Sequence, residues 1–114
     1  MNVIAFTDRF ARGTYDEVWL REVRERNWLL FTRDDRWRSH RAELMALISV
    51  RARAFIFTSQ GSAEEIAHLI WVSLPKIAAI ADDDSIVPPY IYKVTSRGLM
   101  IVYPSEKFRF PMPR

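Results

Sequence analysis

The chain contains no cysteine, which excludes disulfides and thiolate metal sites. No apolar stretch approaches the roughly 20 residues that a membrane span requires, because Lys, Ser or Asp interrupts each of the longer runs. Met1 to Phe6 is too short for a signal peptide and lacks its basic start, so a cytoplasmic protein that uses no membrane is expected. Lysine is scarce: of 17 basic residues only Lys76, Lys93 and Lys107 are lysines. Arginine forks around phosphate and stacks on bases, so its dominance, with a net charge of +3 and a pI near 9.6, mildly favours a nucleic-acid partner. The same composition also fits arginine used simply as the solvated surface cation. Internal repeats, low-complexity segments and domain linkers are missing as well. A single domain over residues 1–114 is expected, with 49% hydrophobic and 27% charged residues, enough to bury roughly two-thirds of the unfolded surface around one core.

What is present is an alternation of apolar runs and amphipathic segments. Asn2 to Thr7 is a short β-type run ending at Asp8. Thr14 with Glu17 forms a capping box for a helix over about Tyr15 to Asn27, with Val18, Trp19, Leu20 and Val23 on one face. Trp28 to Thr32 is continuously apolar, as expected for a strand covered on both faces, and Arg33-Asp34-Asp35 closes it. A second helix is predicted over about Ser39 to Val50, with Leu44, Met45, Leu47 and Ile48 as its buried side. Ala54 to Thr58 repeats the buried-strand pattern, and Ser62 with Glu65 forms another capping box. The third helix carries Ile66, Leu69, Ile70, Leu74, Ile77 and Ile80, and Pro75 should kink or split it. Asp82-Asp83-Asp84 ends it. Tyr90 to Thr95 and Leu99 to Tyr103, joined at Arg97-Gly98, form an antiparallel hairpin, and residues 104–114 read as an irregular tail. The order predicts an α/β fold in three layers, with a mostly parallel central sheet between helices and an antiparallel edge.

Asp8, Asp16 and the pair Asp34-Asp35 fall where strand-like runs end or helices begin. In an open α/β sheet such points converge on one rim, where ligands bind. Carboxylates gathered there repel one another unless a cation lies between them, so a hard divalent metal is the natural occupant. A purely structural account is also open. Asp16 lies in the first turn of its helix, Asp34 and Asp35 precede the next one, and the macrodipole stabilises acids at such places, while Asp8 has Arg9 and Arg12 beside it. Arg33, Arg36, Arg38 and Arg41 form a basic run suited to an RNA backbone or to a solvated helix face. Neither His40 nor His68 has a ligand-spaced partner, and Ser59 has no neighbouring histidine to activate it. Trp19, Trp28 and Trp71 are expected in the core, whereas Trp37, between Arg36 and Arg38, is the candidate for base stacking.

Thr7-Asp8-Arg9-Phe10, Thr14, Asp16, Trp19-Leu20, Trp28 through Thr32-Arg33-Asp34, and Phe57-Thr58-Ser59 follow one another in an order and spacing that resembles the PIN-like domain family, and more narrowly the VapC-type toxins. The likeness covers about Ile4 to Tyr103. It implies a ribonuclease-like site in which acids hold Mg²⁺ or Mn²⁺. Asp16 and Asp34 are then the catalytic metal ligands, Asp8 and Asp35 join them in holding or orienting the ion, and Arg33, Arg36, Arg38 and Ser59 contact substrate. RNA, a cognate antitoxin protein and a second copy of the chain are the partners it implies. The pattern departs from the family at its beginning, where similar proteins carry a further strand ending in the first acid. Two expectations follow from that departure: a start upstream of Met1, or a catalytically impaired binding module acting through dimerisation or an antitoxin-like partner.

Overall fold

A computed structural model describes residues 21, 25–33, 41–57 and 61–104. Residues 25 and 26 end a helix at Asn27, whose φ of 52° is the left-handed value that asparagine tolerates better than most residues. Arg26 then lies over the Trp28 ring, 5.3 Å from its centroid. The remaining elements are β1 (Leu29–Arg33), α1 (Arg41–Ser49), β2 (Arg53–Phe57), α2 (Ala63–Ala81), β3 (Tyr90–Thr95) and β4 (Gly98–Tyr103). The four strands form one sheet in the order β1-β2-β3-β4, parallel across the first two pairings and antiparallel in the last. This is the expected α/β architecture, with the hairpin at its edge. The expected strand Asn2 to Thr7, most of the helix Tyr15 to Asn27, and residues 105–114 lie outside the described residues.

The two helices cover opposite faces of the sheet, and strand alternation assigns side chains to each. Leu30, Ala54, Ile56 and Ile91 pack with Leu44, Leu47 and Ile48 of α1. Leu29, Phe31, Phe55, Phe57, Tyr90 and Val94 pack with Leu69 and Ile77 of α2. Side chains of successive strand residues point to opposite faces, so a strand buried on both sides carries consecutive apolar residues, as Leu29 to Phe31 of β1 and Ala54 to Phe57 of β2 do. The α2 face is aromatic. Phe31 meets Phe55 and Phe57 edge-on at 5.8 and 5.3 Å, and Tyr92 stacks on Phe55 at 5.8 Å.

Both helices stop for local reasons. After α1 the chain turns through Arg51 at φ 59°, while Arg51 N donates to Ile48 O and Ala52 N donates to Leu47 O, each at 3.0 Å. That pair of bonds is a Schellman closure, with arginine where glycine is usual. At the end of α2, Asp82 caps the helix and Arg53 Nη1 donates to the Ala81 carbonyl at 3.1 Å, placing a cation at the negative helix end. Asp83 accepts from Ser85 N and Ser85 Oγ at 2.9 and 2.6 Å, and these bonds hold its carboxyl below the ordinary value.

Three expectations need correction. Met45 is 39% exposed and does not belong to the buried side of α1. Trp71 is 73% exposed rather than in the core, since the buried stripe of α2 runs through Ile66, Leu69, Ser73 and Ile77. Helix α2 is not split at Pro75, which is exposed on its outer side. A proline there deprives the Trp71 carbonyl of its donor, a loss that water offsets on an exposed face.

The fold yields two stability predictions. Arg51→Gly removes a left-handed strain of about 1 kcal/mol and is expected to raise Tm by about 2 to 4 °C in a thermal melt. Tyr90 is buried, and among the described residues its Oη meets no donor or acceptor in good hydrogen-bond geometry, although the Arg53 guanidinium lies beside it. Burial pushes the phenol above its usual 10.0, against the opposing pull of Arg53. Because the unfolded chain loses this proton first, the stability present below about pH 10 falls as pH rises toward the folded value. Tyr90→Phe should therefore leave Tm at pH 7 unchanged or higher and flatten its decline above pH 10; a parallel decline in both proteins would contradict this.

Candidate functional site

The three parallel strands end at one level, since Arg33 pairs in register with Phe57 and Phe57 with Val94. Apolar strand interiors leave no room for charge, so polar groups collect at this carboxyl end, where an α/β sheet binds ligands. Arg33 is the last residue of β1 and the only residue of the expected site within the described region. Its Nη2 donates to the Gly61 carbonyl at 2.8 Å in a half-buried setting, tying the end of β1 to the start of α2 across 28 residues of sequence. Thr32, the preceding residue, is fully buried, and among the described residues its Oγ1 has no hydrogen-bond partner.

The start of α2 is built as its sequence specifies. Ser62 Oγ accepts from Glu65 N and Glu65 Oε1 accepts from Ser62 N, both at 3.2 Å, which completes the capping box. Glycine is required just before it, because a Cβ on Gly61 would lie 2.7 Å from the Glu65 Cβ. Glu64 and Glu65 occupy the first turn, so the positive end of this helix is answered by its own carboxylates. A phosphate arriving there would meet two like charges rather than an open helix terminus.

Beside this turn, a groove of about 460 Å³ runs between α2 and the β3-β4 turn, lined by Glu64, Glu65, His68, Leu69, Val72 and Ser96. His68 follows Glu64 by one helical turn, so both lie on one face. Among the described residues no group of three acidic or histidine side chains is placed to hold a metal ion. Glu64, His68 and Ser96 were not singled out together by the sequence, because their convergence depends on how the hairpin packs on α2. The Ser62–Glu65 box was legible, whereas the Arg33–Gly61 bond has no signature at all.

Asp8, Asp16, Asp34, Asp35, Arg36, Arg38, Thr58 and Ser59 lie outside the described residues, as do His40, Trp19 and Trp37. The described geometry therefore sets the scaffold of the rim: level strand ends, the Arg33 clamp and the acid-filled start of α2.

Comparison with known proteins gives one match. A family model described as a PIN-like domain matches residues 1–59 of the 114, a span that contains Asp8, Asp16, Asp34, Asp35 and Ser59 together with β1, α1 and β2. No curated protein and no solved structure matches the chain significantly.

The clamp is testable by itself. Arg33→Ala is expected to cost about 1 to 2 kcal/mol in urea unfolding at unchanged m-value, with faster amide exchange at Ser62 and Glu65, and Arg33→Lys should not restore the protection. Exchange rates equal to those of the unaltered protein would show that the bond holds nothing in place.

Proposed function

Because the chain belongs to the PIN-like domain family, we propose that it is a divalent-metal-dependent nuclease that cleaves RNA phosphodiester bonds. The observation that carries this reading is the coincidence of the matched span with the acids: residues 1–59 include every aspartate assigned to the site, and Arg33, which precedes Asp34 in sequence, ends β1 level with the end of β2. PIN-like domains are generally nucleases that depend on divalent cations.

The donor set fits such an ion in chemistry, since the chain offers hard carboxylate oxygens and no thiolate. Asp16 and Asp34 would hold Mg²⁺ or Mn²⁺, with Asp8 and Asp35 orienting them. The bound ion supplies an acidified water and neutralises charge on the leaving oxygen. Arg33 keeps the end of β1 and the start of α2 together at the carboxyl end of the sheet. Phosphate contacts fall to Arg33, Arg36 and Arg38, with Ser59 as a further hydrogen-bonding group, because Glu64 and Glu65 close the α2 terminus to anions. The narrower likeness to VapC-type toxins supports a cytoplasmic toxin held in check by an antitoxin protein.

In a cleavage assay on single-stranded RNA, activity is expected only with Mg²⁺ or Mn²⁺. Asp16→Asn and Asp34→Asn should each lower it at least about 100-fold with unchanged circular dichroism. Full activity in either variant would remove the reading. A calorimetric titration showing no heat with Mn²⁺ would instead favour the impaired binding module.

A further inference from the structure

The outer face of α2 sets exposed apolar side chains between exposed carboxylates. Trp71 is 73% exposed and Val72 is 52% exposed, one after the other at mid-helix, and a shallow groove of about 390 Å³ runs beside them between Trp71, Leu74, Pro75 and Ala78. A tryptophan left this open on a long helix forgoes the burial that its large apolar surface favours. Exposed carboxylates stand at both ends of the face, Glu64 and Glu65 at its start and Asp82, Asp83 and Asp84 at its end. Two cations lie near: Lys76, turned toward Gly98 of the hairpin, and Arg53, bonded to the Ala81 carbonyl. The chain is net +3, yet this helix presents an excess of negative charge. Pro75 adds one more acceptor, because it cannot donate to the Trp71 carbonyl one turn earlier.

We propose that the outer face of α2 docks a cationic peptide segment of a partner protein, with an apolar side chain of that segment packed on Trp71. Charge decides among the occupants. A nucleic acid would bring phosphates against Glu64 and Asp82, which share the helical face of Trp71, and this is repulsive. A second copy docked by the same face would set Glu64 against the partner's acids whether the two helices ran parallel or antiparallel. A segment bearing Arg or Lys toward its ends and an apolar residue at its centre meets both the acidic ends and the tryptophan, and its N–H groups can take the Trp71 carbonyl. Length agrees with this. Glu64 and Asp82 are about 27 Å apart along the helix, a distance that an extended segment of about eight residues spans. The surface lies beyond residues 1–59 and is centred on Trp71 at mid-helix, so a Trp71 variant tests it apart from the nuclease reading.

The test uses the full chain and a fluorescein-labelled peptide of about twelve residues, with two arginines toward each end and leucine and phenylalanine between them. Fluorescence anisotropy is expected to give micromolar binding that weakens with salt, falls about tenfold in Trp71→Ala, and falls again in the pair Glu64→Gln and Asp82→Asn. A peptide with glutamate in place of arginine should not bind, and RNA of equal length should not displace the cationic one. Circular dichroism and Mn²⁺-dependent RNA cleavage should be unchanged in Trp71→Ala, which separates failure here from failure of the nuclease reading. Absent binding, equal binding by Trp71→Ala, or displacement by RNA would each overturn the proposal. Self-association of the unaltered protein in sedimentation, abolished by Trp71→Ala, would give the face to a second copy and overturn it too.

Discussion

Burial of both faces of β2 is the constraint on which the other features depend. Ala54, Phe55, Ile56 and Phe57 are all fully buried between α1 and α2, and β2 is bonded on both edges, to β1 and β3. A strand in that position has no solvated side, so its interior residues cannot carry an unanswered charge. On β1 and β2 charge is therefore confined to the strand ends, at Arg33 and Arg53. At the amino end Arg53 answers the carboxyl end of α2 and lies beside Tyr90; at the carboxyl end Arg33 answers Gly61. Both arginines donate to backbone carbonyls at an end of α2, so the longest helix is held at each terminus by a strand.

The two faces are packed with different materials, and this affects what remains outside. The α1 side is built of alanine, leucine and isoleucine, which suits a short helix lying close to the sheet. The α2 side is a layer of interlocked rings, and a helix of 19 residues covers it. Its buried stripe uses the positions around Ile66, Leu69, Ser73 and Ile77. With the inner stripe filled by aliphatic side chains, Trp71 falls on the opposite side and stays in solvent.

The arrangement also separates two kinds of surface. The carboxyl rim joins a strand-end arginine to a helix start already filled by its own acids. The outer face of α2 combines apolar groups with carboxylates.

Much of the scaffold was legible from residue order alone. The apolar runs at β1 and β2, the Ser62–Glu65 box, the Arg97-Gly98 turn and the end of α2 at Asp82 follow from short-range rules, and the structure bears them out within a residue or two. Spacing alone did not locate Met45 or Trp71, because helical periodicity identifies an apolar stripe without saying where its margin meets solvent. Nor did it give the consequence of Pro75, which depends on whether the freed carbonyl lies inside or outside. The aspartates of the candidate rim were legible as residue types at strand ends, while their mutual distances are a matter of tertiary packing. The sequence by itself determined which segments are strands and helices and which faces must be buried, because those follow from contacts a few residues apart. Only the tertiary structure decided that Arg33 reaches Gly61, that Arg53 meets Ala81, and that no described residue covers one face of α2, because each depends on segments far apart in sequence that the sheet pairing brings together.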